Sequence, residues 1–175
     1  PETNSYYCGT NGDFLRLFPH IKIYPKLFYN SNSNSIFTLK QDNNGNIWVG
    51  SYQGLLSIIT NENKIIQSKR SDIKFLNGGL SYKDKMLFFG ESNSGLFMYN
   101  DLNNFKNLTR NVTGFYTYLS KKNILYLGTM YQGLWFTNSE NLEKINSIPW
   151  SKITNKHGMT LENVLTICED KYGNI

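Results

Sequence analysis

The sequence has 175 residues, 39% hydrophobic and 15% aromatic, with 18 Lys/Arg against 13 Asp/Glu for a net charge of +5. Such a chain can bury a sizeable core and is too aromatic to be disordered, while its scattered basic residues lack the patch that nucleic-acid binding needs. No apolar run is long enough to span a membrane as a helix, and Cys8 and Cys168 make neither a disulfide framework nor a metal-ligand motif.

The first element along the chain is the apolar strand Tyr6-Tyr7-Cys8-Gly9, followed by a turn at Thr10-Asn11-Gly12 and by Phe14-Leu15. Cys8 sits at an apolar strand position, where it serves as a small hydrophobe. The next unit reads as short strands at Ile36–Gln41, Ile47–Ser51, Leu55–Thr60 and Lys64–Ser68. The turns between them are Asp42-Asn43-Asn44-Gly45-Asn46, Tyr52-Gln53-Gly54 and Asn61–Asn63. Gly and Asn supply the positive φ that tight hairpins require, and no segment shows the period of an amphipathic helix.

The pattern Ile47-Trp48-Val49-Gly50 through Leu55 returns at Leu87-Phe88-Phe89-Gly90 through Leu96 and at Leu125-Tyr126-Leu127-Gly128 through Leu134. With Gly9 the marker glycines stand at 9, 50, 90 and 128, spaced by 41, 40 and 38 residues. Asp170-Lys171-Tyr172-Gly173-Asn174-Ile175 repeats Asp42–Ile47, and an insertion around residues 138–162 lengthens the interval before it. The repeat units are therefore approximately 6–34, 35–73, 74–113 and 114–162, with the start of a further unit at 163–175.

A period near forty residues, made of short antiparallel strands, is the sequence form of a β-propeller blade. The predicted fold is all-β, with about four blades of four strands each. One blade cannot bury both of its apolar faces, so blades stack, with Trp48, Phe88, Phe89, Tyr126 and Trp135 as filling between them. The chain opens on Pro1 in a second strand and stops just after a first strand. It reads as an arc excised from a larger ring; closure as four blades would instead place 163–170 beside 6–10.

Catalytic chemistry is not evident. His20 and His157 have no ligand-spaced partners, and nucleophile elbows and phosphate-binding loops are missing. In Asp42–Asn46 the Gly falls at the fourth position rather than the sixth of a calcium loop, so the segment reads as a turn. Neither a metal nor a cofactor is expected.

The run Asp42-x-x-Gly45-Asn46-Ile47-Trp48-Val49-Gly50-Ser51-x-x-Gly54-Leu55 resembles the two-component regulator propeller repeat. The stretch His157-Gly158-Met159 through Asp170 follows the segment that precedes that repeat, with Met159 in place of Leu. The third and fourth units depart from it, carrying Lys83-Asp84-Lys85 and Lys121-Lys122-Asn123 at the Asp-x-x-Gly-Asn position. The resemblance implies rings of about seven blades. It further implies a periplasmic sensor region of an inner-membrane hybrid histidine kinase/response regulator, detecting an oligosaccharide or other small ligand. Membrane attachment would come only through the rest of the receptor, and the remaining blades would be partners of this segment.

In propellers the turns between second and third strands share a face with the links between blades, and binding residues concentrate on such loops. This places Asn11, Tyr52, Gln53, Asn93, Tyr131, Gln132 and His157 together as candidate ligand contacts, the last on a long link at Trp150–Asn163. Tyr offers an aromatic face with a polar handle, and Gln an amide donor and acceptor. The competing reading is a structural propeller that mediates protein interaction, including homodimerisation.

Overall fold

The computed structural model describes residues 6–9, 13–17, 22–25, 36–51, 55–62, 64–69, 76–90, 94–144, 148–160 and 162–175. Its strands are β1 (Tyr6–Gly9), β2 (Asp13–Leu17), β3 (Lys22–Pro25), β4 (Ile36–Gln41), β5 (Ile47–Ser51), β6 (Leu55–Ile59) and β7 (Ile65–Lys69). They continue with β8 (Leu76–Tyr82), β9 (Lys85–Gly90), β10 (Gly95–Tyr99), β11 (Phe105–Asn107), β12 (Gly114–Leu119), β13 (Ile124–Thr129), β14 (Leu134–Asn138) and β15 (Ser151–Ile153). One helical turn, α1 (Asn141–Lys144), and a 3-10 turn at Asn155–His157 interrupt the β structure. Among the described residues no helix is long and apolar enough to cross a membrane.

Every sheet is a meander in chain order: one of three strands, β1-β2-β3, and three of four strands, β4–β7, β8–β11 and β12–β15. The first strands of successive four-stranded sheets lie side by side, β4 against β8 and β8 against β12. This is the β-propeller arrangement, and the second-unit strands agree with the sequence pattern to within a residue at each end.

Burial follows from the stacking. All of β5, from Ile47 to Ser51, is buried, because strand alternation sends successive side chains to opposite faces and both faces are covered. Trp48 joins Leu76, Met86, Phe88, Phe97 and Tyr99 in one cluster, whereas Ile47 and Val49 join Ile59 in another. Phe88 and Phe89 divide in the same way: Phe88 packs toward Trp48, and Phe89 packs with Leu125 and Leu127 of the next sheet. Tyr126 departs from the expected inter-blade filling. It is half-buried and stacks on Phe136 of its own sheet at 5.8 Å, on the face opposite Leu125 and Leu127.

Two of the marker glycines, Gly50 and Gly128, have a steric reason. A Cβ on Gly50 would stand 2.6 Å from the Leu76 carbonyl oxygen, and one on Gly128 would stand 2.4 Å from that of Val164. Each glycine lets the chain entering the following unit pass directly over the second strand, so the forty-residue period records a backbone crossing.

The Asp-x-x-Gly-Asn turn is equally concrete. Asp42 Oδ1 accepts the backbone N–H groups of Asn44 and Asn46, each at 2.9 Å, and Oδ2 accepts the Asn46 amide at 3.0 Å and the Trp48 indole N–H at 2.8 Å. Asp170 repeats all but the indole bond, accepting the backbone N–H of Tyr172 at 2.8 Å and of Asn174 at 2.9 Å, and the Asn174 amide at 2.8 Å. These N–H bonds, led by that of Asn174, hold its carboxyl below the usual range. The two other hairpins lack this Asp and place Lys83 and Asn123 at φ 54° and 59° instead.

Two sequence expectations change in the last unit. Residues 163–170, expected as a first strand, form no strand ladder among the described residues, and β1 pairs with β2. The segment is nevertheless laid down in place, since Val164 N–H donates to the Thr129 carbonyl at 3.0 Å. The stretch 150–163, expected as a single link, begins with β15, because Lys152 and Ile153 pair with Trp135 and Leu134. The link itself runs from 154 to 163.

Candidate functional site

The rim carrying the turns between second and third strands is best defined at β13–β14. Tyr131 and Gly133 both have positive φ, 61° and 76°, which folds residues 130–133 into a tight outward turn. Thr129 closes it by donating from Oγ1 to the Gly133 carbonyl at 2.6 Å, and the Trp135 indole donates to the Gln132 carbonyl at 3.0 Å.

Both neighbouring links grip this turn. From the preceding link, the Thr113 carbonyl accepts the Met130 N–H at 2.8 Å, and the Asn111 carbonyl accepts the Gln132 side-chain amide at 3.0 Å. From the following link, the Glu162 carbonyl accepts the Gly133 N–H at 2.9 Å, and Asn163 Oδ1 accepts the Tyr131 N–H at 2.8 Å. The Tyr131 ring is left 67% exposed above a fixed backbone. An aromatic side chain held this way loses little conformational freedom on binding.

His157 stands on the 154–163 link. Its Nδ1 accepts the Thr154 N–H at 3.2 Å, which makes Nε2 the protonated nitrogen of the neutral ring. Gly158, at φ 92°, ends the turn, and Glu162 Oε1 accepts the Asn155 N–H at 2.9 Å. Glu162 thus ties the His157 loop to the Tyr131 turn, using its carboxylate for one and its carbonyl for the other. Sequence reasoning missed Glu162, and it read Asn163 only as part of the segment that precedes the repeat. Neither contact carries a local signal, because each depends on partners 29 to 32 residues away.

Of the candidate contacts, Tyr131, Gln132 and His157 lie on this rim, with Gln132 spending its amide on the Asn111 carbonyl. Asn11, Tyr52, Gln53 and Asn93 lie outside the described residues. Among the described residues no group of three or more His, Cys, Asp or Glu side chains could hold a metal ion.

Residues 30–53 match the family described as two component regulator propeller, so the chain carries that repeat where its motif is most complete. The fold likeness extends much further. The extracellular domain of BT4673 from B. thetaiotaomicron, assigned to a hybrid two component system, matches with a TM-score of 0.75 over 98% of this chain at 18% identity. That of BT3049 from the same organism matches at 0.67 over 99% with 14% identity. PorZ, a surface component of the type-IX secretion system of Porphyromonas gingivalis, matches at 0.62 over 87% with 15% identity. At such identities the likeness establishes the propeller fold. The chain spans 24%, 25% and 22% of those three structures. No curated protein sequence matches it.

Proposed function

We propose that this chain is a non-catalytic, ligand-sensing propeller segment of a hybrid two-component receptor. In this reading it lies in the periplasm, recognises an oligosaccharide and signals through the rest of the receptor to a cytoplasmic histidine kinase. The observation that carries the reading is the family match at 30–53, set in a chain whose fold follows the extracellular domains of such systems almost end to end. The rim supplies a means of recognition, with the exposed Tyr131 ring and the His157 loop braced through Glu162 and Asn163. The units at 6–34, 35–73, 74–113, 114–162 and 163–175 would then belong to a ring of about seven blades, with the other blades as partners.

Calorimetric titration with a panel of oligosaccharides tests the reading. Binding of one glycan class, weakened about tenfold or more by Tyr131→Ala, is the expected result. An absence of binding heat across the panel, with wild type and variant alike, would sink it. The alternative of an interaction propeller predicts a concentration-dependent dimer in sedimentation.

A further inference from the structure

Between the outer strands of the last two blades lies a cavity of about 340 Å³, lined by Asn107, Thr109, Arg110, Trp135, Ile148 and Trp150. Two of these residues carry buried polar atoms with no hydrogen-bond partner among the described residues: the Thr109 hydroxyl and the Trp150 indole N–H. Thr109 is only 9% exposed. Buried donors and acceptors are normally satisfied, and two orphans lining one cavity call for a common explanation.

The walls are rigid. Asn107 Oδ1 accepts the Thr109 N–H at 3.1 Å, while its amide donates to the Ser94 carbonyl at 3.1 Å. The Leu108 N–H donates to the Leu96 carbonyl at 2.7 Å, and the Thr109 carbonyl presses on Gly95 so closely that no Cβ fits there. On the opposite wall Trp135 and Trp150 face each other at 6.2 Å, with Lys152 Nζ 3.6 Å from the Trp135 ring centre. The Trp135 indole N–H is already committed to the Gln132 carbonyl. The free functionality is therefore an indole donor, a hydroxyl that donates or accepts, and the exposed guanidinium of Arg110, beside aromatic rings.

We propose that this cavity is a second ligand site, which takes a sugar ring bearing a carboxylate. The ring's C–H face packs on indole, its hydroxyls satisfy Thr109, and an acceptor oxygen receives the Trp150 N–H. The carboxylate pairs with Arg110, whose planar fork suits it. A cavity of this volume admits about one or two such rings. The proposal does not rest on the Tyr131 rim: that site presents an exposed side chain on a turn, whereas this one is an open cleft between two blades, lined by residues with buried polar atoms.

The test is a titration of the ¹⁵N-labelled chain with glucuronate and galacturonate, with glucose and acetate as controls, following the indole N–H signals of its 3 Trp residues. Trp150→Phe assigns its signal by deletion. With the uronates, the Trp150 signal moves and saturates. Thr109→Val and Arg110→Gln each weaken binding by about tenfold, and glucose binds at least about tenfold more weakly. Tyr131→Ala leaves this titration unchanged even if it abolishes binding at the rim. A Trp150 signal that stays fixed overturns the proposal. So does one that moves equally with acetate, or an affinity indifferent to both substitutions in variants that keep the wild-type spectrum.

Discussion

Between β4–β7 and β8–β11 the seam is aromatic and closed: Trp48, Phe88 and Tyr99 interlock with ring centres 5.9 to 6.4 Å apart, and Phe97 packs beside Tyr99. Between β8–β11 and β12–β15 the seam is mainly aliphatic, built from Leu87, Leu96, Leu125 and Leu127 around Phe89, and it takes in Leu142 and Ile148 from the inserted segment. The cavity beside Trp135 and Trp150 opens in this second seam. Where the repeat keeps its motif, interlocked aromatic rings fill the seam. Where an insertion separates the third and fourth strands, the seam holds a cavity lined by Thr109 and Trp150. The difference ties the proposed second site to the departure from the repeat.

The sharpest way to break this comparison is to truncate one indole in each seam. Trp48→Ala removes a ring packed on all sides together with its bond to Asp42, and should cost about 3–5 kcal/mol, or about 10 °C in Tm. Trp135→Ala removes a ring that already borders a cavity and should cost about 2 kcal/mol. Equal losses in thermal melts would mean that the second seam is as tightly packed as the first.

A smaller effect is expected at the turn that steadies the first seam. Asp42→Ala orphans the N–H groups of Asn44 and Asn46 and frees the Trp48 indole, at about 1–3 kcal/mol. Near-ultraviolet circular dichroism should report the loosened indole. An unchanged spectrum would show that packing alone positions Trp48.

The smallest effect concerns the tether across the second seam. Lys83 and Lys85 each donate to Glu143 of α1 at 2.8 Å and lower its carboxyl from 4.5 to about 2. A depressed carboxyl contributes stability that is complete above its unfolded value and fades as pH falls through the folded one. Stability should therefore decline between about pH 4.5 and 2, and Glu143→Gln should flatten that limb of the pH–stability curve slightly, because exposed pairs are screened. An identical slope in the variant would remove the tether from the account.

Much of the fold was legible because a blade is a local object. Antiparallel strands joined by tight turns put their signal in adjacent residues: a short continuous apolar run in β5, Asn-Gly chemistry at Asp42–Asn46, and the glycines at 50 and 128 where the chain crosses over. The site was legible only in part. Tyr131 and His157 could be placed on one rim from their position in the repeat, but not the Glu162 and Asn163 contacts that brace them, because these depend on a link of irregular length.

The sequence by itself determined the unit: strands, turns and the forty-residue spacing, each set by steric and hydrogen-bond demands within a few residues. Only the tertiary structure decided how neighbouring units meet. It sent Phe88 to one seam and Phe89 to the other, turned Tyr126 away from the filling expected of it, and made a strand of Ser151–Ile153 inside an apparent loop. It also brought Thr109 and Trp150, each with a buried polar atom that has no partner among the described residues, to the lining of one cavity. Packing between blades depends on which side chains oppose one another across tens of residues, and no local pattern encodes that.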